Sequence, residues 1–358
     1  MQNLVITALF ALLVSGALSY LLTPLVIKFA KKINIVDDPK KNKHPKVIHT
    51  YPTPRGGGLA VYTGIVVTAL IFLPIDKHLI AILIGASLIT AIGIFDDLKN
   101  LNPYLRLCLQ VLAALIPIAS GIGISFLTNP IGGIVDLSHP RIFFEIFGTT
   151  KSILLLSDLF AIFWIVFLMN LLNMGAKGVD GQLSAVAVVA SLVIAILSLK
   201  YSADITQWPV IILALVTAGS FLGFLPWSIF PQKIMPSYSG STLAGYMLAI
   251  LSILSTTKVG TLTVALGIPL VDTGYVVIRR ILSGKSPVWG DRNHLHHRLL
   301  DAGLSKKQVA HFYWLGTALL GALALNLNAE YKLYTIIGII VFVGGLILWL
   351  TQRSKLSK

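Results

Sequence analysis

Charge is scarce in this chain. Asp, Glu, Lys and Arg make up 12% of its 358 residues, against roughly 25% in an average soluble domain, which argues against an ordinary soluble fold. Only 14 residues are acidic, beside 28 Lys and Arg. Cysteine occurs once, at Cys108 in an apolar run, so disulfides and Cys-based zinc sites are excluded. No repeat with a period of about 20–50 residues is visible, which removes solenoids and repeat arrays.

What fills the chain is apolar sequence, 56% of all residues. Runs near the roughly 20 residues needed to cross a bilayer recur from end to end. Eleven spans are expected, at 4–27, 56–75, 78–95, 104–126, 153–172, 184–199, 207–230, 240–254, 259–278, 311–329 and 333–350. The runs at 184–199 and 240–254 are short for a full crossing and fit half-buried segments as well. The fold class expected is an all-α polytopic membrane protein, with residues 1–358 as one membrane-embedded domain. Lys28, Lys31 and Lys32 follow the first run, and no basic stretch precedes it. That pattern suits a retained helix and not a cleaved signal.

The polar residues gather in five islands, 28–55, 96–103, 173–183, 231–239 and 279–310. Two spans separate each island from the next, so all five return to one face. That face carries 22 of the 28 Lys and Arg. By the positive-inside rule the islands are cytoplasmic, the N-terminus is outside and the C-terminus cytoplasmic. The net charge of +14 is then a topology signal directed at membrane lipids, and no nucleic-acid partner is expected.

Each island holds candidate chemistry. In the first, Lys43, His44 and Arg55 stand among four prolines and three glycines, which suits an anion site or a plain basic tether. Asp96-Asp97 closes an apolar span. Paired carboxylates at a membrane edge repel each other and must stay hydrated or bind a cation, so general base and Mg²⁺ ligand are both open roles. Asn173 to Leu183 places Gly175, Gly178 and Gly181 around Lys177 and Asp180; exposed amides for a phosphate and a simple turn are equal readings. The last loop sets His294, His296 and His297 between Arg292 and Arg298. Imidazoles alone suit a metal, whereas the two arginines favour a diphosphate clasp. Asp272 lies about 10 Å deep in the ninth span at 1.5 Å per residue, and either a structural pair with Arg279 or catalysis accounts for it.

Taken in order, these motifs resemble the polyprenyl-phosphate N-acetylhexosamine-1-phosphate transferases, of the kind that initiate enterobacterial antigen and teichoic acid. Such enzymes are relatives of the translocase that makes the first lipid intermediate of peptidoglycan. The resemblance covers nearly the whole chain. It rests on Lys43-His44 with Pro54-Arg55-Gly56-Gly57, Asp96-Asp97 followed by Arg106 and Gln110, Val179-Asp180-Gly181, Gly240-Ser241, Ile268 to Asp272 with Arg279-Arg280, and His294-Leu295-His296-His297-Arg298. It implies transfer of a sugar phosphate, GlcNAc-1-phosphate first among candidates, from a UDP-sugar to a polyprenyl phosphate, releasing UMP. It implies Mg²⁺, or Mn²⁺ in its place, and a homodimer. Asp96, Asp97 and Asp180 would be catalytic, with Asp97 and Asp180 on the metal. Lys43, His44, Arg55, Asn173, Lys177, Arg292, His294, His296, His297 and Arg298 would bind substrate.

Two positions depart from the family's pattern. Where a Met-Gly-Asp-Ser-Gly-Ser stretch is usual, this chain reads Pro236-Ser237-Tyr238-Ser239-Gly240-Ser241, so a phenol replaces a metal-binding carboxylate. Where Asp-Gly-x-Asp-Gly is usual, Lys177 stands in place of the first aspartate. Either Lys177 neutralises the diphosphate while Asp97 and Asp180 hold the metal, or the chain only binds lipid phosphate or nucleotide sugar. A transferase acting on CDP-activated alcohols is disfavoured by Gln182 to Ala185 after Asp180-Gly181. A transporter would place charges near the midplane with repeat symmetry, and neither is seen.

Overall fold

The computed structural model describes residues 2–42, 47–146, 149–255, 258–287 and 292–356. Helices carry the fold. The first, α1 (Gln2–Lys32), is followed by two short strands, β1 (Val36–Asp37) and β2 (Thr53–Pro54), that pair antiparallel and fold the first island back on itself. Three helices follow, α2 (Gly58–Phe72), α3 (Lys77–Lys99) and α4 (Pro103–Ala119). Asp76 and Asn102 cap α3 and α4 by accepting from the Leu79 and Tyr104 amides, satisfying donors that a helix start leaves open.

The segment after α4 departs from an all-α reading. Strands β3 (Phe126–Thr128) and β4 (Ile134–Asp136) form one antiparallel ribbon, and β5 (Arg141–Ile146) and β6 (Thr149–Leu154) form a second. The expected fourth span at 104–126 therefore ends early. The chain has already turned at Gly121, whose φ of +104° is a backbone conformation few other residues adopt.

Helices α5 (Leu155–Gly175), α6 (Gln182–Lys200), α7 (Gln207–Ser228) and α8 (Ser237–Leu254) follow, and the last three form the interior. The two runs that look short in the sequence, α6 and α8, are helices long enough to cross a membrane. Helix α8 has the lowest mean hydropathy of the candidate spans, 1.2, yet is the most buried. Protein covers it on nearly every side, so its serines and glycines meet neighbouring helices and not lipid.

The ninth expected span is broken. Helices α9 (Lys258–Ala265) and α10 (Gly267–Leu282) meet at an 82° bend. Pro269 stands within the first turn of α10, where its missing N–H costs nothing, but it cannot continue a straight helix from α9. Asp272, in the first half of α10, meets the start of α11 (Leu295–Asp301), and α12 (Lys306–Ala324) and α13 (Ala329–Leu356) complete the fold.

Among the described residues, seven helices are long and apolar enough to cross a membrane, or eight with the bent pair counted as one. Large apolar side chains on α1, α12 and α13, such as Leu13, Leu319 and Phe342, are more than half exposed. An apolar exterior over a helical interior belongs in a bilayer, and the chain is a multi-pass membrane protein.

Candidate functional site

The five polar islands meet. Their residues line one cavity of about 330 Å³, at the C-terminal ends of α3, α5 and α10 and the N-terminal ends of α4, α6 and α8. Helix N-termini present partial positive charge, so three of these six ends favour an anion. Four cations line the cavity, Arg55, Arg106, Lys177 and Arg280, with Asp37, Asp96 and Asp180 among them.

Local hydrogen bonds explain the assembly. The Met235 amide donates to the Pro54 carbonyl at 2.8 Å, the Gly57 amide to the Met235 carbonyl at 3.0 Å, and the Tyr51 hydroxyl to the Gln232 carbonyl at 3.1 Å. The first and fourth islands are thereby joined. Close contact joins the third and fifth, because a Cβ on Gly178 would lie 2.1 Å from the His296 ring, so only glycine fits there. The Trp314 indole donates to the Gly181 carbonyl at 3.2 Å, and Lys306 lies 3.7 Å from Asp180.

Asp97 is the centre of the second island and is buried behind the cavity wall. Its Oδ1 accepts from the Arg55 guanidinium at 3.0 Å and the Tyr238 amide at 3.2 Å; its Oδ2 accepts from the Ser239 hydroxyl at 2.9 Å and the Ser239 amide at 3.5 Å. Helix α8 starts at Ser237 with no side-chain cap of its own. A carboxylate from α3 therefore satisfies its first amides, a cap supplied from another helix. One turn earlier on α3, a Cβ on Gly93 would lie 2.3 Å from the Ser239 Cα, so glycine is what lets α8 approach. Asp96 faces the other way, accepting from the Leu101 amide at 2.9 Å and from Arg106 at 3.4 Å.

Tyr238 is held as firmly. Its hydroxyl accepts from Gln110 Nε2 at 2.8 Å, and Gln110 Oε1 accepts from Asn170 at 2.7 Å. The Arg106 guanidinium lies over the Tyr238 ring, 5.0 Å from its centroid, a cation–π contact that fixes the arginine at the cavity edge. In the third island Asn173 Oδ1 accepts from both the Lys177 ammonium and the Ser241 hydroxyl. The Gly178 and Val179 amides donate to Gln182 Oε1 at 2.8 and 3.1 Å. They are thus occupied within the loop, which favours the turn over the exposed-amide reading at these two positions.

The histidines are fixed from below. Asp272, fully buried, contacts His294 Nδ1 at 3.0 Å and accepts from the Leu295 amide at 2.6 Å. Its partner is a histidine and an α11 amide, not Arg279, which donates to Asn293 at 2.7 Å. The His294 and His296 rings stack 5.7 Å apart, and His296 and His297 are 4.2 Å apart. Burial first, and then its two histidine neighbours, hold His296 well below the ordinary imidazole range, so it is neutral near pH 7. Burial, followed by the Asp180 charge, raises the Tyr51 phenol above its usual value.

Of the residues singled out in the sequence, Arg55, Asp96, Asn173, Lys177, Asp180, His294, His296 and His297 line the cavity. Asp97 lies just behind it, holding Arg55. Lys43 and His44 lie outside the described residues. Arg292 and Arg298 are not among the residues that line the cavity. Arg292 pairs with Asp301 at 2.7 Å on the surface, and Arg298 binds the Asn293 carbonyl and Thr351 over the Tyr275 ring. Arg280 takes their place at the cavity. Gln182, Ser239 and Lys306 were also missed; Gln182 gave a signal as the polar residue straight after Asp180-Gly181, and Ser239 as part of the Ser239-Gly240-Ser241 stretch, whereas Lys306 gave none.

The donor set does not fit a Mg²⁺ held by Asp97 and Asp180. Both Asp97 oxygens are engaged by four donors, and Mg²⁺ demands free oxygens in near-octahedral array. Among the described residues no group of three or more His, Cys, Asp or Glu is placed to hold a metal.

Comparison with known proteins agrees with this constellation. The model of the glycosyl transferase family 4 matches residues 79–256. The chain is 32% identical to the probable undecaprenyl-phosphate N-acetylglucosaminyl 1-phosphate transferase of Bacillus subtilis, over 86% of this chain and 81% of that one. It is 30% identical to the decaprenyl-phosphate N-acetylglucosaminephosphotransferase of Mycobacterium leprae, over 93% of this chain and 87% of that one. It is 27% identical to the undecaprenyl-phosphate alpha-N-acetylglucosaminyl 1-phosphate transferase of Escherichia coli K12, over 85% and 79% respectively. Likeness over this much of both chains, together with the family match, places the protein in glycosyl transferase family 4.

Proposed function

We propose that the protein transfers GlcNAc-1-phosphate from UDP-GlcNAc to a polyprenyl phosphate at the cytoplasmic face of the membrane, releasing UMP and starting a cell-envelope glycan. The observation that carries this reading is the cation-lined cavity to which every polar island contributes, in a chain whose relatives are named as decaprenyl- and undecaprenyl-phosphate GlcNAc-phosphate transferases. In this topology α2, α4 and α12 also cross, giving eleven crossings with the N-terminus outside. The bias of 22 Lys and Arg to 6 between the faces supports it.

The chemistry is positioning and charge neutralisation. A lipid phosphate oxygen attacks the β-phosphorus of the UDP-sugar. The new P–O bond forms as the bond from that phosphorus to the α–β bridging oxygen breaks, and UMP leaves with the electron pair. A lipid phosphate with its second pKa near 6 is largely a dianion at neutral pH, so the step needs no net proton transfer. Asp97, saturated by donors, therefore acts by holding Arg55 and the start of α8. Arg55, Arg106, Lys177 and Arg280 neutralise phosphate oxygens. His294, its Nδ1 committed to Asp272, offers Nε2 to the cavity. Asp180, at the cavity wall beside Lys306, orients the donor.

The test is UMP release by purified protein from UDP-GlcNAc and undecaprenyl phosphate, beside Arg280→Ala. Release requiring both substrates, and lowered at least tenfold in the variant, supports the reading. No release from any UDP-N-acetylhexosamine contradicts it.

A further inference from the structure

Most oxygens that could receive a divalent cation in or just behind the wall of this cavity already accept from protein donors, and the carboxylate of Asp180 faces the Lys306 ammonium at 3.7 Å. Asp97 accepts from four, the Tyr238 hydroxyl from Gln110, and Asn173 Oδ1 from Lys177 and Ser241. The third case is the informative one. The Lys177 ammonium sits on an amide oxygen at the cavity wall, close enough to Asp97 to interact with its charge. An ammonium is a compact point charge with three donors, well suited to phosphate oxygens. Ser241 holds Asn173 from the other side at 2.9 Å, so the lysine's seat is itself fixed. Repulsion from an ammonium in that seat disfavours a second cation close by.

We infer that Lys177 is a resident cation standing in for a divalent metal. It neutralises the diphosphate of the nucleotide sugar, so the chain binds and turns over its donor without added metal. The inference rests on the transferase reading for the identity of the diphosphate. It goes beyond that reading in making the reaction metal-independent.

The experiment measures UDP binding by calorimetry and UMP release in parallel, in excess EDTA or excess Mg²⁺, for the wild type, Lys177→Met and Lys177→Asp. The wild type should bind UDP equally within about twofold in both buffers. Lys177→Met should weaken UDP about tenfold to a hundredfold in EDTA, the range of one charge-assisted hydrogen bond. Lys177→Asp should bind UDP only with Mg²⁺ present. Wild-type binding that requires Mg²⁺ overturns the inference and returns Asp180 to the metal, as does unchanged affinity in Lys177→Met. The wild-type comparison decides even where a variant fails to fold. UDP bound in EDTA with no UMP released in either buffer contradicts the transferase reading while leaving the role of Lys177 intact.

Discussion

Asp97 and Tyr238 show how a buried polar group can be committed before any ligand arrives. Asp97→Asn removes the charge facing Arg55 and leaves one oxygen for donors from three residues. Since Arg55 is about one-fifth exposed and can turn to water, the expected loss is about 1–3 kcal/mol of stability, read as a lower Tm. UMP release should fall by about tenfold or more as Arg55 swings away. Tyr238→Phe keeps the ring under Arg106 and strands only Gln110 Nε2, so Tm should fall while UMP release stays within a few-fold of wild type. His296 gives a pH prediction. Its folded pKa is lowered, so the unfolded chain binds the proton more readily. The stability it contributes is full above about pH 6.5 and is lost as pH falls from there toward the lowered value. Tm should therefore drop more steeply on acidification in the wild type than in His296→Gln, and parallel slopes would count against it. At this scale the sequence reveals residues whose presence is costly, such as Asp96, Asp97 and Asp272. It does not reveal where a long side chain turns: Arg292 and Arg280 look equally basic, and only folding sends one to Asp301 and the other to the cavity.

Most elements are legible from hydropathy, because lipid and protein interior both select apolar residues. Each of the eleven apolar runs overlaps a helix or helix pair, the fourth running past the end of α4. Three features escape that signal. The break between α9 and α10 does not change average hydropathy, although Gly267 and Pro269 mark it. The ribbons β3–β4 and β5–β6 are too short for a period to stand out. The burial of α8 is invisible, since its low hydropathy reads as a weak span when it reflects protein on all sides. The approach of α8 to α3 carries a prediction of its own. Gly93→Ala puts a methyl where the Ser239 backbone lies, and backbone cannot yield as a side chain end can. About 1–3 kcal/mol of overpacking is expected, with a lower Tm and a further loss of UMP release as the Asp97 cap on α8 opens.

At the scale of the molecule, the parity of the islands is the sequence feature that survives folding best. Segments separated by hundreds of residues share one cavity because each returns to the same end of the helices. Orientation follows from charge and can be checked by labelling. With Cys108 replaced by serine, a cysteine at Gly284 should be shielded from an impermeant reagent in intact cells, and one at Gly132 should react. The reverse pattern would invert the topology. The central claim remains that this cavity joins a nucleotide sugar to a lipid phosphate. The most direct measurement is mass spectrometry of the lipid formed by purified protein from UDP-GlcNAc and undecaprenyl phosphate, with UMP quantified in the same reaction. A polyprenyl diphosphate carrying GlcNAc, formed one for one with UMP, is the result predicted. Lipid phosphate recovered unchanged with every UDP-N-acetylhexosamine tried would contradict it.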